Sequence, residues 1–113
     1  MAPLTGYAAA SAYATTQLQG MTQQQMLLQL YDFAIAGCVA RDARKTTAAI
    51  VELIAALNFE YEEIATGLYR LYDYSLREVK AQRFDSAQKI LGDLRETWHQ
   101  AFSRSGAPVA VAG

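Results

Sequence analysis

Apolar side chains recur at helical spacing along four stretches of the chain. After Thr22 they fall at Met26, Leu27, Leu30, Tyr31, Ala34 and Cys38, which predicts a helix ending near Ala40. Thr22 and Gln25 stand in the order of a capping box, in which each closes a free backbone amide at the helix start. Arg41, Asp42, Arg44 and Lys45 form a short charged connection. Ile50, Leu53, Ile54 and Leu57 then repeat as i, i+3, i+4, i+7 and mark a second helix closing near Asn58. A third carries Ile64, Ala65, Leu68, Tyr72, Leu76 and Val79 and stops near Gln82. Glu60, Glu62 and Glu63 lie at its start, where carboxylates offset the positive end of the helix dipole. The last runs through Ala87, Ile90, Leu91, Leu94, Trp98 and Phe102, with Asp85 as its expected cap and Gln88 at the third helical position.

Neither a Gly or Pro cluster nor a hairpin signal interrupts these segments. Helices on short joints become antiparallel neighbours, so the expected fold is all-α, an antiparallel four-helix up-down bundle over 21–103. No charged side chain precedes Asp32, and the early Ala-, Thr- and Gln-rich tract has no clean period. Residues 1–20 are expected to be a mobile N-terminal arm and 104–113 a flexible C-terminal tail.

Turning about 100° per residue, the last helix separates cleanly into an apolar side and a side of Lys89, Asp93, Glu96 and Gln100. The first does not. Leu28, Ile35 and Val39 lie opposite Met26, Phe33 and Gly37, leaving only Gln25, Gln29, Asp32 and Ala36 for water. A helix apolar nearly all round is either buried on several sides or kept for a partner, and both alternatives stand at this point. In the third helix Tyr74 falls about 140° from the apolar stripe, beside Glu63, Arg70 and Arg77. A single exposed tyrosine is ordinary. Seven tyrosines in 113 residues are many, and tyrosine is favoured at interfaces.

Composition removes several classes. Ten Lys and Arg against eleven Asp and Glu give a net charge of −1, without the basic footprint of a nucleic-acid binder. One cysteine, Cys38, makes no internal disulfide, and one histidine, His99, builds no zinc site alone. Glu96 and His99 have the spacing of half a di-iron motif, but the second histidine is missing. Cys38 on an apolar helix reads as a packed small hydrophobe, with no histidine or cation one turn away to activate it. No Gly-rich phosphate loop occurs. No catalytic, cofactor-binding or metal-binding residue is expected, and no enzyme. Ala12-Tyr13-Ala14 resembles a signal cleavage site but lacks a basic segment before it. The most apolar interior stretch, 48–57, contains Glu52 and is far short of the roughly 20 residues that span a bilayer. A cytoplasmic location without membrane insertion is expected.

Ala12-Tyr13, then the run Met26-Leu27-Leu28-Gln29-Leu30-Tyr31-Asp32, Glu52-Leu53 and Leu57-Asn58 together resemble the flagellar export chaperone FliS family. So do Ile64-Ala65, the run Leu68-Tyr69-Arg70-Leu71-Tyr72-Asp73-Tyr74-Ser75-Leu76-Arg77, and Leu94-Arg95-Glu96-Thr97-Trp98. The likeness runs from about Tyr13 to Trp98, and Leu-Tyr-Asp-Tyr followed by Leu-Arg-Glu-x-Trp is its most specific part. The resemblance implies an elongated helical bundle that binds the C-terminal segment of flagellin, prevents premature polymerisation and assists delivery to the export gate of the flagellar type III apparatus. It further implies that the segment around Tyr13 occupies part of the flagellin groove until displaced. The stretch between Asp32 and Leu57 is about two turns per helix shorter than is usual in the family, which keeps the apolar register but makes that end stubbier. The joint 80–85 also lacks the family's usual Asn.

On exposed or groove-forming faces that match the family motifs, the expected partner-binding residues are Tyr13, Leu28, Tyr31, Ile35, Ile50, Leu57, Leu71 and Tyr74. Ile90, Leu94 and Trp98 are assigned to the core. The alternative is a structural bundle that self-associates weakly through its first helix, or binds a different filament protein.

Overall fold

The computed structural model describes residues 21–105, which form four helices: α1 (Gln23–Val39), α2 (Ala43–Ala55), α3 (Glu62–Lys80) and α4 (Phe84–Ser105). The expected arm, residues 1–20, and the tail beyond 105 lie outside the described residues. α1 packs against α2 and α4, and α3 packs against the same two, closing the ring of an antiparallel bundle. The all-α four-helix fold expected from the spacing is the one observed.

Local chemistry fixes the helix starts. Thr22 Oγ1 accepts from the Gln25 N–H at 3.0 Å while Gln25 Oε1 accepts from the Thr22 N–H at 2.9 Å, completing the capping box. Asp42 caps α2 by accepting from the Lys45 N–H at 3.0 Å. Arg44 and Lys45 therefore belong to the first turn of α2 rather than to the connection, which narrows to Ala40, Arg41 and Asp42. α2 ends at Ala55, three residues before Asn58. The expected cap of the last helix is also corrected. The Ala87 N–H bonds the Arg83 carbonyl at 3.3 Å, so the helix begins at Phe84 and Asp85 sits inside its first turn. Burial decides this: Phe84 is 1% exposed, and starting the helix there drives its ring into the core. α4 runs on to Ser105, two residues past the expected end of the bundle.

The core gathers Leu27, Tyr31, Ala34 and Cys38 from α1, Ile50 and Leu53 from α2, Leu68, Tyr72 and Val79 from α3, and Phe84 and Leu91 from α4. Leu94 and Trp98 pack against it, half-buried. Cys38 is buried as a small hydrophobe, and burial pushes its thiol pKa up. At the centre the hydroxyls of Tyr31 and Tyr72 bond to each other, and Trp98 Nε1 donates to Tyr31 Oη at 3.1 Å. Both rings are fully buried. Desolvation raises the Tyr31 pKa to about 12 and raises that of Tyr72 further, so both phenols stay protonated. A second link from α1 to α4 is the Asp32–Arg95 pair, at 2.6 Å.

This network is unequal. Tyr31→Phe removes two bonds and strands the buried Tyr72 hydroxyl, an expected loss of about 1–3 kcal/mol. Tyr72→Phe leaves the Trp98 bond in place and removes one of two protons that share a single contact, so its expected cost is under about 1 kcal/mol. Parallel thermal melts check the order; an equal or larger loss for Tyr72→Phe contradicts it.

Candidate protein-docking surface

Eight large apolar side chains are exposed among the described residues, and six of them (Phe59, Tyr61, Ile64, Tyr69, Leu71 and Tyr74) lie between 59 and 74. They belong to the α2–α3 connection and to α3. The helical turn explains the arrangement. α3 aims Leu68, Tyr72 and Val79 at the core, while Ile64, Gly67, Leu71 and Tyr74 recur at i, i+3, i+7, i+10 and form a stripe on its flank and outer side. Ile64 is 56% exposed, Leu71 40% and Tyr74 44%. Gly67 opens this stripe further, since a Cβ built there meets nothing within 4 Å.

Charge is graded along the same helix. Glu62 and Glu63 occupy the first turn, Arg77 and Lys80 the last, and both signs suit the helix dipole. Arg77 is held by Asp73 at 3.0 Å one turn away. Where α3 meets α4, the buried Glu78 carboxylate accepts from Arg83 Nη2 at 2.8 Å and Nε at 3.0 Å. Those bonds, with help from Ser86, hold its pKa below the usual carboxylate range. The pair therefore stabilises the fold above the ordinary carboxylate pKa, and the benefit is lost as pH falls through the lowered value.

Among the described residues, the expected partner-binding positions separate into three groups. Leu71 and Tyr74 are exposed together on α3. Leu28 and Ile35 on α1 and Leu57 after α2 are half-buried. Tyr31 and Ile50 are 0% exposed and lie inside the bundle, so neither is on a surface in this fold. Each belongs to the buried stripe of its own helix, and a family motif does not separate the residues that shape a core from those that meet a partner. Tyr13 lies outside the described residues. Ile64, one of the apolar residues that marked the third helix, is among the most exposed apolar residues. The 100° turn already placed it about 60° from the centre of the core stripe, on the same flank as Leu71 at about 80°.

The family model described as flagellar protein FliS matches residues 38–105, more than half of the chain. The chain belongs to the FliS family. Its relatives are flagellar export chaperones, and the match takes in all of α2, α3 and α4, including Leu71, Tyr74 and the closing Leu94 to Trp98 run. It begins at Cys38, so the FliS-like run Met26 to Asp32 in α1 lies before it, and the matched span is shorter than the likeness read from Tyr13 onward. No curated protein and no solved structure matches the chain. Among the described residues, no group of His, Cys, Asp or Glu could hold a metal ion, and no helix is long and apolar enough to cross a membrane.

Proposed function

We propose that this FliS-family bundle is a cytosolic, stoichiometric chaperone that binds the C-terminal segment of flagellin, prevents its premature polymerisation and assists its delivery to the export gate of the flagellar type III apparatus. The observation that carries it is the crowding of exposed apolar side chains onto one stretch, residues 59–74. An exposed apolar stripe on a helix suits an amphipathic segment that folds as it docks, burying its own apolar side against the stripe. No bond is made or broken. The chaperone holds the segment and releases it.

Leu71 and Tyr74 are the anchors, with Leu28, Ile35 and Leu57 as further contacts along the path of the client and Tyr13 on an arm that the client displaces. Calorimetric titration with the C-terminal segment of the same organism's flagellin, at two temperatures, tests the proposal. One-to-one binding with a strongly negative heat-capacity change is expected; a folded protein that gives no complex refutes it. Tyr74→Ala is expected to weaken binding by about 1–4 kcal/mol, as interface anchors do, while the melting temperature hardly moves. Loss of both together would make Tyr74 a structural residue.

A further inference from the structure

Among the described residues, α2 alone carries charges that run against its own helix dipole. Arg44 and Lys45 occupy its first turn and Glu52 its last, whereas α3 opens on Glu62 and Glu63 and closes on Arg77 and Lys80. α4 likewise opens on Asp85 and ends near Arg104. Cations at a helix start and an anion at its end cost stability. Nothing inside the bundle offsets the cations, since neither Arg44 nor Lys45 has an ion-pair partner among the described residues. A helix that breaks a local rule without compensation within the fold points to a contact outside it.

The outer face of α2 has the form of such a contact. Thr46, Ile50 and Leu53 are buried, and at 100° per residue Arg44, Ala48, Val51 and Ala55 fall on the opposite side. Their spacing of four, three and four residues is that of the seam between two paired helices. Arg44, Val51 and Ala55 are exposed and Ala48 is half-buried. An open depression of about 480 Å³ lies over Arg44, Thr47, Ala48 and Val51, and the small side chains along it let another backbone approach closely.

The pattern also says which helix would fill it. Turned end for end, the seam maps onto itself: Arg44 falls on Ala55 and Ala48 on Val51. On one flank stand Lys45 and Glu52, seven residues and about 10 Å apart along the axis, beyond direct pairing within one helix. In an antiparallel pair the same reversal brings each Lys45 to the Glu52 of the other copy. The ends are relieved at the same time, because the cations of one α2 then lie beside the negative end of the other helix dipole. Only a second copy requires a seam to be its own complement. We infer that the outer face of α2 is a homodimer surface, on which two copies pair their α2 helices antiparallel about a two-fold axis near Ala49 and Ile50, with Lys45 of each on Glu52 of the other. A single pair of short helices is a small interface, below about 1,200 Å² in total, so monomer and dimer exchange. The assignment stands apart from the chaperone reading, whose stripe lies on α3.

Sedimentation velocity on the full chain, from about 10 μM to 1 mM at low salt, should show a reversible monomer–dimer equilibrium that weakens as salt is added. Lys45→Glu should weaken the dimer at least tenfold, because carboxylates then face the Glu52 of the other copy. The same variant should melt at or above the wild-type temperature, since it places an anion at a helix start. Ala48→Gln, which crowds the seam with a side chain that helices accept well, should also weaken the dimer at least tenfold. The double variant Lys45→Glu/Glu52→Lys should return to within about threefold of wild type. Lys89→Glu makes the same charge change on the solvent side of α4 and should alter the dimer by less than twofold. A chain that stays monomeric throughout, a dimer indifferent to Lys45→Glu or Ala48→Gln, an equal loss in Lys89→Glu, or a folded double variant that stays monomeric overturns the assignment.

Discussion

Gly37→Ala is expected to lower the melting temperature by roughly 10 °C or more, from a loss of about 2–3 kcal/mol in a domain this small. A Cβ at position 37 would lie 2.9 Å from the Thr46 backbone nitrogen, 3.1 Å from its Cα, and inside the contact distance of its Oγ1. Thr46 has little freedom to yield. It is fully buried, and its hydroxyl donates to the Asp42 carbonyl at 2.8 Å. The added methyl must therefore push α1 away from α2, and a packed interior resists displacement of whole helices. Adding Thr46→Ala removes the hydroxyl but not the backbone contact, so only part of the loss should return. Thermal melts of the single and double variants check this. A Gly37→Ala protein that melts with the wild type would mean that the two helices are not held at this crossing.

Ile50→Ala separates the core from the docking surface. The side chain is 0% exposed and belongs to the cluster formed by all four helices. Its truncation is expected to cost about 2–5 kcal/mol, the transfer of the lost methyl groups plus the cavity they leave. Ile50→Val should cost only about 0.5–1.5 kcal/mol. Client affinity, measured at a temperature where the variant is still folded, should stay within about threefold of wild type, because no atom of Ile50 reaches the surface. Tyr74→Ala has the opposite signature. A variant at position 50 that keeps its stability and loses the client would put Ile50 back among the partner-binding residues.

Both variants bear on what could be read in the chain before its structure. Within one helix, sequence spacing is strong information, because a fixed turn converts each number into a direction. The four helices, the Thr22 capping box, the acidic start of α3 and the outward position of Tyr74 were all legible this way. The error at Asp85 arose where two local signals competed. Asp85 is a good cap, but Phe84 gains more by entering the core, and that gain depends on helices distant in sequence. Leu-Tyr-Asp stands in the letters at 30–32 and again at 71–73. It acquires meaning only when the two tyrosines are seen to meet.

The all-around apolar character of α1 shows the limit most clearly. From composition alone it could be buried on several sides or kept for a partner. In the bundle, Tyr31 and Ala34 are 0% exposed, Leu28 and Ile35 are half-buried, and Val39 is 66% exposed. The sequence by itself determined which residues become helices, how they are capped and how each divides into sides, because these depend on neighbours within a few positions. The tertiary structure alone decided that Tyr31 and Ile50 are core and that α1 and α2 meet closely where Gly37 faces Thr46. Those outcomes depend on how closely two helices approach, and that distance is set by side chains brought together from far apart in the chain.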